Sequence, residues 1–233
     1  MRSEDRETSR SISLKRAGKL QQKKHRETEK LFLAEGRSLI EESSGSPRQL
    51  FEDPNDVRRL SALKTPTGPV GVFPFLDISA GDLVASCDRI ILLHGVQDPG
   101  NVGTIIRVAH AFGAGVALSG GCADLYNPKT VRATMGSIFH APLAREVETL
   151  AFLESARSLG FTPVAAALGG GCGPREMSVG KLVVVVGPEG AGLQEAVVAA
   201  CEQHVEIPSR ASSLNVAMAA TILLYEAYMR VLP

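Results

Sequence analysis

The sequence has no pair of cysteines at a metal-binding or disulfide spacing. Cys87, Cys122, Cys172 and Cys201 are scattered, so neither a zinc site nor a disulfide framework is indicated, and a reducing compartment is expected. No metal is implied by any His, Cys or acidic cluster. No run approaches the roughly 18 apolar residues that span a bilayer, which argues against a membrane partner. The first thirty residues are charged and lack an apolar core, so a secretory leader is not expected and a cytoplasmic location is. Neither a G-x-G-x-x-G dinucleotide fingerprint nor a Walker loop occurs. Gly169-Gly170-Gly171-Cys172-Gly173 fits neither spacing and reads as a flexible turn. The usual nucleotide-binding readings of an α/β chain, a nucleotide-dependent oxidoreductase among them, lose their main support.

What is present is unevenly distributed. The formal charge is zero over 233 residues. Residues 1–30 nevertheless carry ten Lys or Arg against five acids, a net of +5, and the rest carry 15 against 20, a net of −5. Residues 1–28 therefore form a basic arm, helical or flexible. It is either a solvated tail or a contact for a polyanion. Residues 29–80 follow as a small α/β unit, with strands expected at 31–36, 49–52 and 70–75 and helices at 37–42 and 56–63. Residues 76–87 read as a connection. From residue 88 to 233, short apolar strands alternate with helices. Strands are expected at 90–93, 116–118, 162–167, 182–186 and 205–207. Helices are expected at 102–112, 128–139, 150–159, 193–201 and 214–231. This pattern argues for a parallel sheet with helices on both faces, with ligands at the carboxyl ends of strands.

Three loops lie at such ends. In the first, Asp98 to Arg107, Asn101 stands where a helix N-cap belongs and Gly113 lies just past the helix end. At about 100° per residue, Val102, Ile105, Ile106, Ala109 and Phe112 form one apolar stripe. Arg107 falls on the opposite face near Gly103 and His110, so the core does not place it. It is either a solvated surface arginine or a substrate contact. The second loop, Gly187-Pro188-Glu189-Gly190-Ala191-Gly192, follows four valines. Its glycines allow close backbone approaches, and Glu189 either favours the next helix or faces a ligand. The third loop runs from Ile207-Pro208 to Ser213-Leu214-Asn215-Val216. It leads into a helix apolar nearly all round, which implies burial on more than one side, part of it by a second subunit.

Together the three loops resemble the three motifs of the SpoU/TrmH group of RNA 2′-O-ribose methyltransferases, in the SPOUT superfamily. Asn127 to Gly136 resembles the family's segment before its second helix. Lys24-His25-Arg26-Glu27 through Glu35-Gly36, and Thr65 to Val72, resemble the ends of its small RNA-binding N-terminal domain. A middle strand–helix segment of that domain is missing, so it reads as trimmed. The Ile207-to-Leu214 interval is two residues shorter than usual, so a shorter loop over the cofactor is expected.

The resemblance implies a deep C-terminal trefoil knot, S-adenosylmethionine bound within it, and a homodimer that completes each site. It implies catalytic roles for Arg107, Asn101, Glu189, Ser213 and Asn215. It implies cofactor contacts by Gly187, Ile207 and Leu214, and RNA contacts by Lys23, Lys24, Arg26, Glu35 and Arg132. His94 and His110 lie near the site and are read as structural. The expected activity is methylation of a ribose 2′-hydroxyl in RNA. Ribosomal RNA is favoured over transfer RNA because of the N-terminal domain. A non-catalytic RNA-binding or ribosome-assembly factor is the competing class.

Overall fold

Residues 11–43, 45–167 and 169–231 are described by the structure, a computed structural model. The described chain divides into two compact units: residues up to Phe75 together with Tyr126–Pro128, and Leu76–Leu125 together with Lys129 onward.

The first unit contains α1 (Leu14–Lys19), α2 (Lys23–Glu29), β1 (Leu31–Glu35), α3 (Arg37–Glu41), β2 (Gln49–Phe51), α4 (Pro54–Leu60) and β3 (Val70–Pro74). Its three strands form an antiparallel sheet in the order β1-β3-β2. Ile12, Ala17 and Leu20 are buried with Leu31, Leu33, Val57, Leu60 and Val72 in one core. The expected basic arm is therefore not a separate element from Ile12 onward: its apolar positions complete the unit that follows. Calls on residues 1–10 lie outside the described residues. On the other face, Tyr126 stacks on Phe75 at 3.9 Å between centroids and lies 4.8 Å from Phe32. Helix α4 starts two residues earlier than the expected 56, because Asp53 caps it by accepting from the Asn55 and Asp56 amides, with Pro54 in the first turn.

The second unit contains α5 (Ala80–Ser86), β4 (Arg89–Leu93), α6 (Pro99–Ala111), β5 (Gly115–Ser119), α7 (Pro128–Ala133), β6 (Leu143–Val147), α8 (Thr149–Ser158), β7 (Thr162–Ala166), β8 (Leu182–Val186), α9 (Glu195–Ala199), β9 (Gln203–Val205) and α10 (Val216–Met229). Six strands pair in parallel in the order β6-β5-β4-β8-β7-β9. All five residues of β8 are buried, which requires cover on both faces of the sheet. One face packs Ile90, Leu92, Val183 and Val185 against Leu83 of α5, Phe152 and Leu153 of α8, and Val197 of α9. Helices α6 and α10 pack on each other and against β4 and β8. The strand order reverses between β4 and β8, and ligands of open α/β sheets bind at such a reversal. Among the described residues no helix is long and apolar enough to cross a membrane.

Three local features depart from the periodicity reading. The 76–87 connection contains α5, capped by Ser79. Strand β6 was not expected, because an edge strand can carry Arg145 and Glu146, and Glu146 has φ 55°. Arg145 is tied to Asp77 at 2.9 Å. The helix expected over 128–139 stops at Ala133. Met135 (φ 49°) and Gly136 (φ 93°) turn the chain into a short 3-10 turn at Ser137–Phe139.

Gly103 shows how closely α6 is packed. It is buried, and a Cβ there would sit 2.5 Å from both the Thr130 carbonyl oxygen and the Ala133 Cβ. In an ordinary helix interior, Gly→Ala stabilises. Here Gly103→Ala is expected to destabilise by about 1–3 kcal/mol through overpacking, read as a lowered melting temperature. An unchanged or raised Tm would show that α7 is free to move away.

Candidate functional site at three strand ends

The first loop differs from its sequence reading in one respect that sets the site. Asp98, not Asn101, is the N-cap of α6, and Pro99 opens the helix. The Asp98 carboxylate accepts from the Asn101 amide at 2.9 Å and pairs with Lys129 Nζ at 3.2 Å. The backbone hydrogen bond from Asn101, and then Lys129, hold the Asp98 carboxyl below its ordinary pKa. Asn101 thus stands one turn inside the helix, with its side-chain amide released from capping.

That amide is used across the sheet. Asn101 Nδ2 donates to Glu189 Oε1. Asn215 Nδ2 donates to Asn101 Oδ1 at 3.0 Å and to Glu189 Oε1 at 3.1 Å. Asn215 is also the N-cap of α10: its Oδ1 accepts from the Ala217 amide at 2.9 Å and the Met218 amide at 3.3 Å. One asparagine therefore starts a helix with one end of its amide and joins two other loops with the other end. The three loops, far apart in sequence, meet at one carboxylate oxygen.

Loop two is shaped by backbone crowding. A Cβ on Gly187 would lie 2.9 Å from the Gly192 carbonyl carbon and the Leu193 nitrogen. The Gly192 amide closes the turn on the Pro188 carbonyl at 3.1 Å. Loop three is held differently. Ile207 lies beyond β9 rather than within it, since the strand ends at Val205. After β7 the chain turns through Gly169 and Gly170, both with positive φ, and Cys172 then pairs with the strand end: its amide donates to His204 O and its carbonyl accepts from the Glu206 amide, each at 2.9 Å. A Cβ on Gly171 would sit 2.8 Å from His204 O. The glycine cluster read as a flexible turn is a turn only in its first half. Its second half is a docked extension of the sheet.

Between these loops lies a cavity of about 510 Å³. Its walls are Ala166 and Ala167 after β7, Gly187 to Gly190 after β8, Ile207, the Ser212-Ser213-Leu214 run, and Val216 and Ala219 of α10. Gly187, Glu189, Ile207, Ser213 and Leu214 thus come together on one cavity, and Asn101 and Asn215 adjoin it through Glu189. Ala166 and Ala167 were missed, although the strand-end rule applied to β7, with glycines following, marks them. Asp98 was missed because Asn101 was the more obvious cap.

Arg107 does not line this cavity. It is exposed on α6, with no side-chain partner among the described residues. The stripe of Val102, Ile105, Ile106 and Ala109 is buried, as its spacing required. Arg132 of α7 is half-buried. In the first unit, Lys23 and Lys24 are exposed on α2. Arg26 and Glu35 are engaged elsewhere. Arg26 is 3% exposed and donates to the Leu20 and Gln21 carbonyls at 2.7 and 2.8 Å, clamping α1 to α2. Glu35 accepts from Ser61 Oγ at 2.8 Å and the Thr67 amide at 3.1 Å, fixing the turn before β3. Both are internal braces rather than open surface. His94 Nδ1 lies 2.9 Å from Thr149 Oγ1 and His110 Nδ1 lies 3.1 Å from Ser137 Oγ.

Comparison with known proteins gives the family of the chain. Residues 88–225 match the model of the SpoU rRNA Methylase family. The 23S rRNA (guanosine(2553)-2'-O)-methyltransferase RlmP of Bacillus subtilis is 32% identical over 242 residues, covering 94% of this chain and 97% of that one. The 23S rRNA (uridine(2479)-2'-O)-methyltransferase of Streptomyces viridochromogenes is 37% identical over 176 residues, covering 68% of this chain and 60% of that one. The crystal structure of an AdoMet-bound rRNA methyltransferase from Sinorhizobium meliloti superimposes with a TM-score of 0.86 at 31% identity, covering 94% of this chain and 95% of that one. The mixed α/β architecture with its six-stranded parallel sheet matches the fold of these enzymes, and the chain belongs to the SpoU rRNA methylase family.

Proposed function

We propose that the protein transfers a methyl group from S-adenosylmethionine to a ribose 2′-hydroxyl of ribosomal RNA. The observation that carries this reading is the meeting of Asn101, Glu189 and Asn215 on one edge of a strand-end cavity. Two relatives named as 23S rRNA 2'-O-methyltransferases favour ribosomal over transfer RNA as the substrate.

The cavity's chemistry fits the cofactor. Its volume lies within the usual range of cofactor clefts. Gly187 keeps one wall free of side chains, so backbone donors and acceptors are within reach of a base and a ribose. Ile207, Leu214 and Val216 offer apolar surface to an adenine, and Glu189 sets a negative edge near a sulfonium. When bound, the cofactor would supply a methyl group activated on a sulfonium, with the neutral thioether as leaving group; the chain aligns the acceptor against it, and the 2′-hydroxyl proton leaves to solvent water. Gly187, Ile207 and Leu214 hold it, and Ser213 lies on the rim. Glu189 orients the two asparagine amides, and these fix the geometry in which the acceptor ribose is received.

Arg107 is the catalytic arginine. A guanidinium stays protonated, so it does not act as a base. It binds the phosphate beside the acceptor and stabilises the alkoxide that develops on the 2′-oxygen. Six residues along α6 amount to about 9 Å and a rotation of about 240°, so Arg107 faces away from Asn101. It therefore serves the cavity of a partner subunit. Met218, Ile222, Tyr225 and Met229 form an exposed apolar stripe on α10, with Met218 63% exposed, and this is the dimer surface. The chain from Val205 to Val216, passing from the sheet edge to α10, is the segment threaded in a trefoil knot. Residues 88–233 are the methyltransferase domain. The N-terminal unit, ending at Phe75 and including α1 and α2, binds RNA, with Lys23 and Lys24 among its exposed cations and Arg132 assisting from α7. The protein works in the cytoplasm.

Arg107→Ala is expected to lower methyl transfer to an unmodified 23S rRNA transcript by about 100-fold or more, the scale for losing one stabilising donor. Cofactor affinity by calorimetry should stay within about twofold. Near-wild-type transfer would remove Arg107 from the mechanism, and no binding at millimolar cofactor would favour the non-catalytic class.

Asn215 separates capping from bridging. Asn215→Ser keeps a cap and should hold stability within a few tenths of a kcal/mol, while Asn215→Ala should cost about 0.5–2 kcal/mol. Both should lose methyl transfer. A fully active Asn215→Ser variant would show that the bridge to Glu189 is dispensable.

A further inference from the structure

The outer face of α6 carries groups that methyl transfer, as described above, leaves unused. His110 stands three residues past Arg107, so the two side chains are neighbours one turn apart on the same face. Both are exposed. Ser137, only 7% exposed, sits with its Oγ 3.1 Å from His110 Nδ1 and so fixes the ring's orientation. With Nδ1 held inward, the remaining nitrogen, Nε2, lies on the opposite side of the ring. His140, also exposed, stacks on His110 with ring centroids 4.9 Å apart and planes inclined by 17°. Core packing does not require this pair, since both rings are at the surface. The turn that delivers His140 is itself unusual. Met135 adopts φ 49° and is 57% exposed, a left-handed conformation disfavoured for an unbranched non-glycine side chain and one commonly retained where a surface has work to do.

We infer that His110 and His140, with Arg107, form a phosphate subsite for the RNA strand next to the acceptor nucleotide. The inference rests on the proposed function, and it assigns to His110 a role beyond the structural one its sequence position gave it. Arg107 is a fixed cation. Two stacked imidazoles beside it supply N–H donors on the same face, and the oxygens of a phosphodiester accept from such donors. A ribose acceptor is flanked by phosphates on both sides, so an enzyme that methylates it must accommodate at least one. Contacts of this kind position the strand without reading its sequence.

The test uses the full chain with S-adenosylhomocysteine present, so that binding is measured without turnover, and an unmodified 23S rRNA transcript as the probe. The His110→Asn/His140→Asn variant is expected to weaken RNA binding about 5- to 20-fold at fixed salt, with the slope of log affinity against log salt kept, because the fixed cations remain. In turnover with S-adenosylmethionine its KM for RNA should rise about 5- to 20-fold, with kcat within about twofold. A Gln amide reaches further than an Asn amide. His110→Gln should therefore retain an outward donor and recover part of the affinity, whereas His110→Asn satisfies only Ser137. An unchanged RNA affinity and KM in the double variant, with wild-type methylation intact, would overturn the subsite and leave the proposed function standing. Equal losses in the Gln and Asn variants with a lowered Tm would overturn it in favour of a structural role. Absence of both RNA binding and methyl transfer in the wild-type protein would overturn the function and the subsite together.

Discussion

The contact between Asn215, Asn101 and Glu189 is the constraint on which the site depends. No single strand end makes the cavity. β4 and β8 are adjacent and in register, with Leu93 opposite Val186, so the first two loops leave the sheet side by side. The His94 amide extends that ladder by one bond to the Val186 carbonyl. The third loop has no such pairing with either. It begins at the far edge of the sheet and must travel back to reach α10. Asn215 ends that journey by capping α10 and joining its neighbours' side chains at once. Glu189 and Asn215 are exposed and Asn101 is half-buried, so each hydrogen bond adds little net stability, on the order of 1 kcal/mol. Their value is positional: they place three flexible backbones at defined separations around a cleft.

The sheet makes this positioning affordable. Strands buried on both faces cannot slide by one residue without exposing apolar side chains or burying charge, so the loop origins are fixed before any loop contact forms. Glycine then sets how close the loops come. Gly187 and Gly171 are both sites where a Cβ would press on another backbone, one within loop two and one between the β7 extension and the end of β9. The cavity wall and the clamp on the third loop thus depend on the same property, absence of a side chain, at two separate places.

Much of this was legible in the sequence, and the parts that were not share a physical cause. The parallel sheet followed from runs such as Leu182–Val186, and the buried face of α6 from the spacing of Val102, Ile105, Ile106 and Ala109. Those signals are periodic and local. The cap of α6 was misplaced because Asp98 and Asn101 are both good capping residues, and only the position of Pro99 and the partner across the sheet decide between them. β6 was hidden because an edge strand tolerates Arg145 and Glu146. The packing of α1 and α2, though not the chance of helix there, was hidden by charge: Ile12, Ala17 and Leu20 are too few to register as a core, yet their burial with Leu31 and Leu60 makes the segment part of the unit. Arg26 illustrates the limit of charge as evidence, since a cation in a basic run proved to be the brace between two helices.

Arg107 and Arg26 make the same point from opposite sides. Both are helix arginines that the sequence marked as candidate functional residues. Arg26 spends donors on two backbone carbonyls and is buried, so replacing it would first disturb α1 and α2. Arg107 spends none on the fold and remains exposed beside a helix whose other faces are fully used: one on the sheet, one against α7 through Gly103, and one against α10. A helix so enclosed leaves a narrow strip open to solvent. The chain places Arg107 and His110 on that strip, with His140 stacked over it from the 3-10 turn. Packing accounts for every other face of α6. The groups on this strip are therefore the ones of α6 whose identity core packing leaves open.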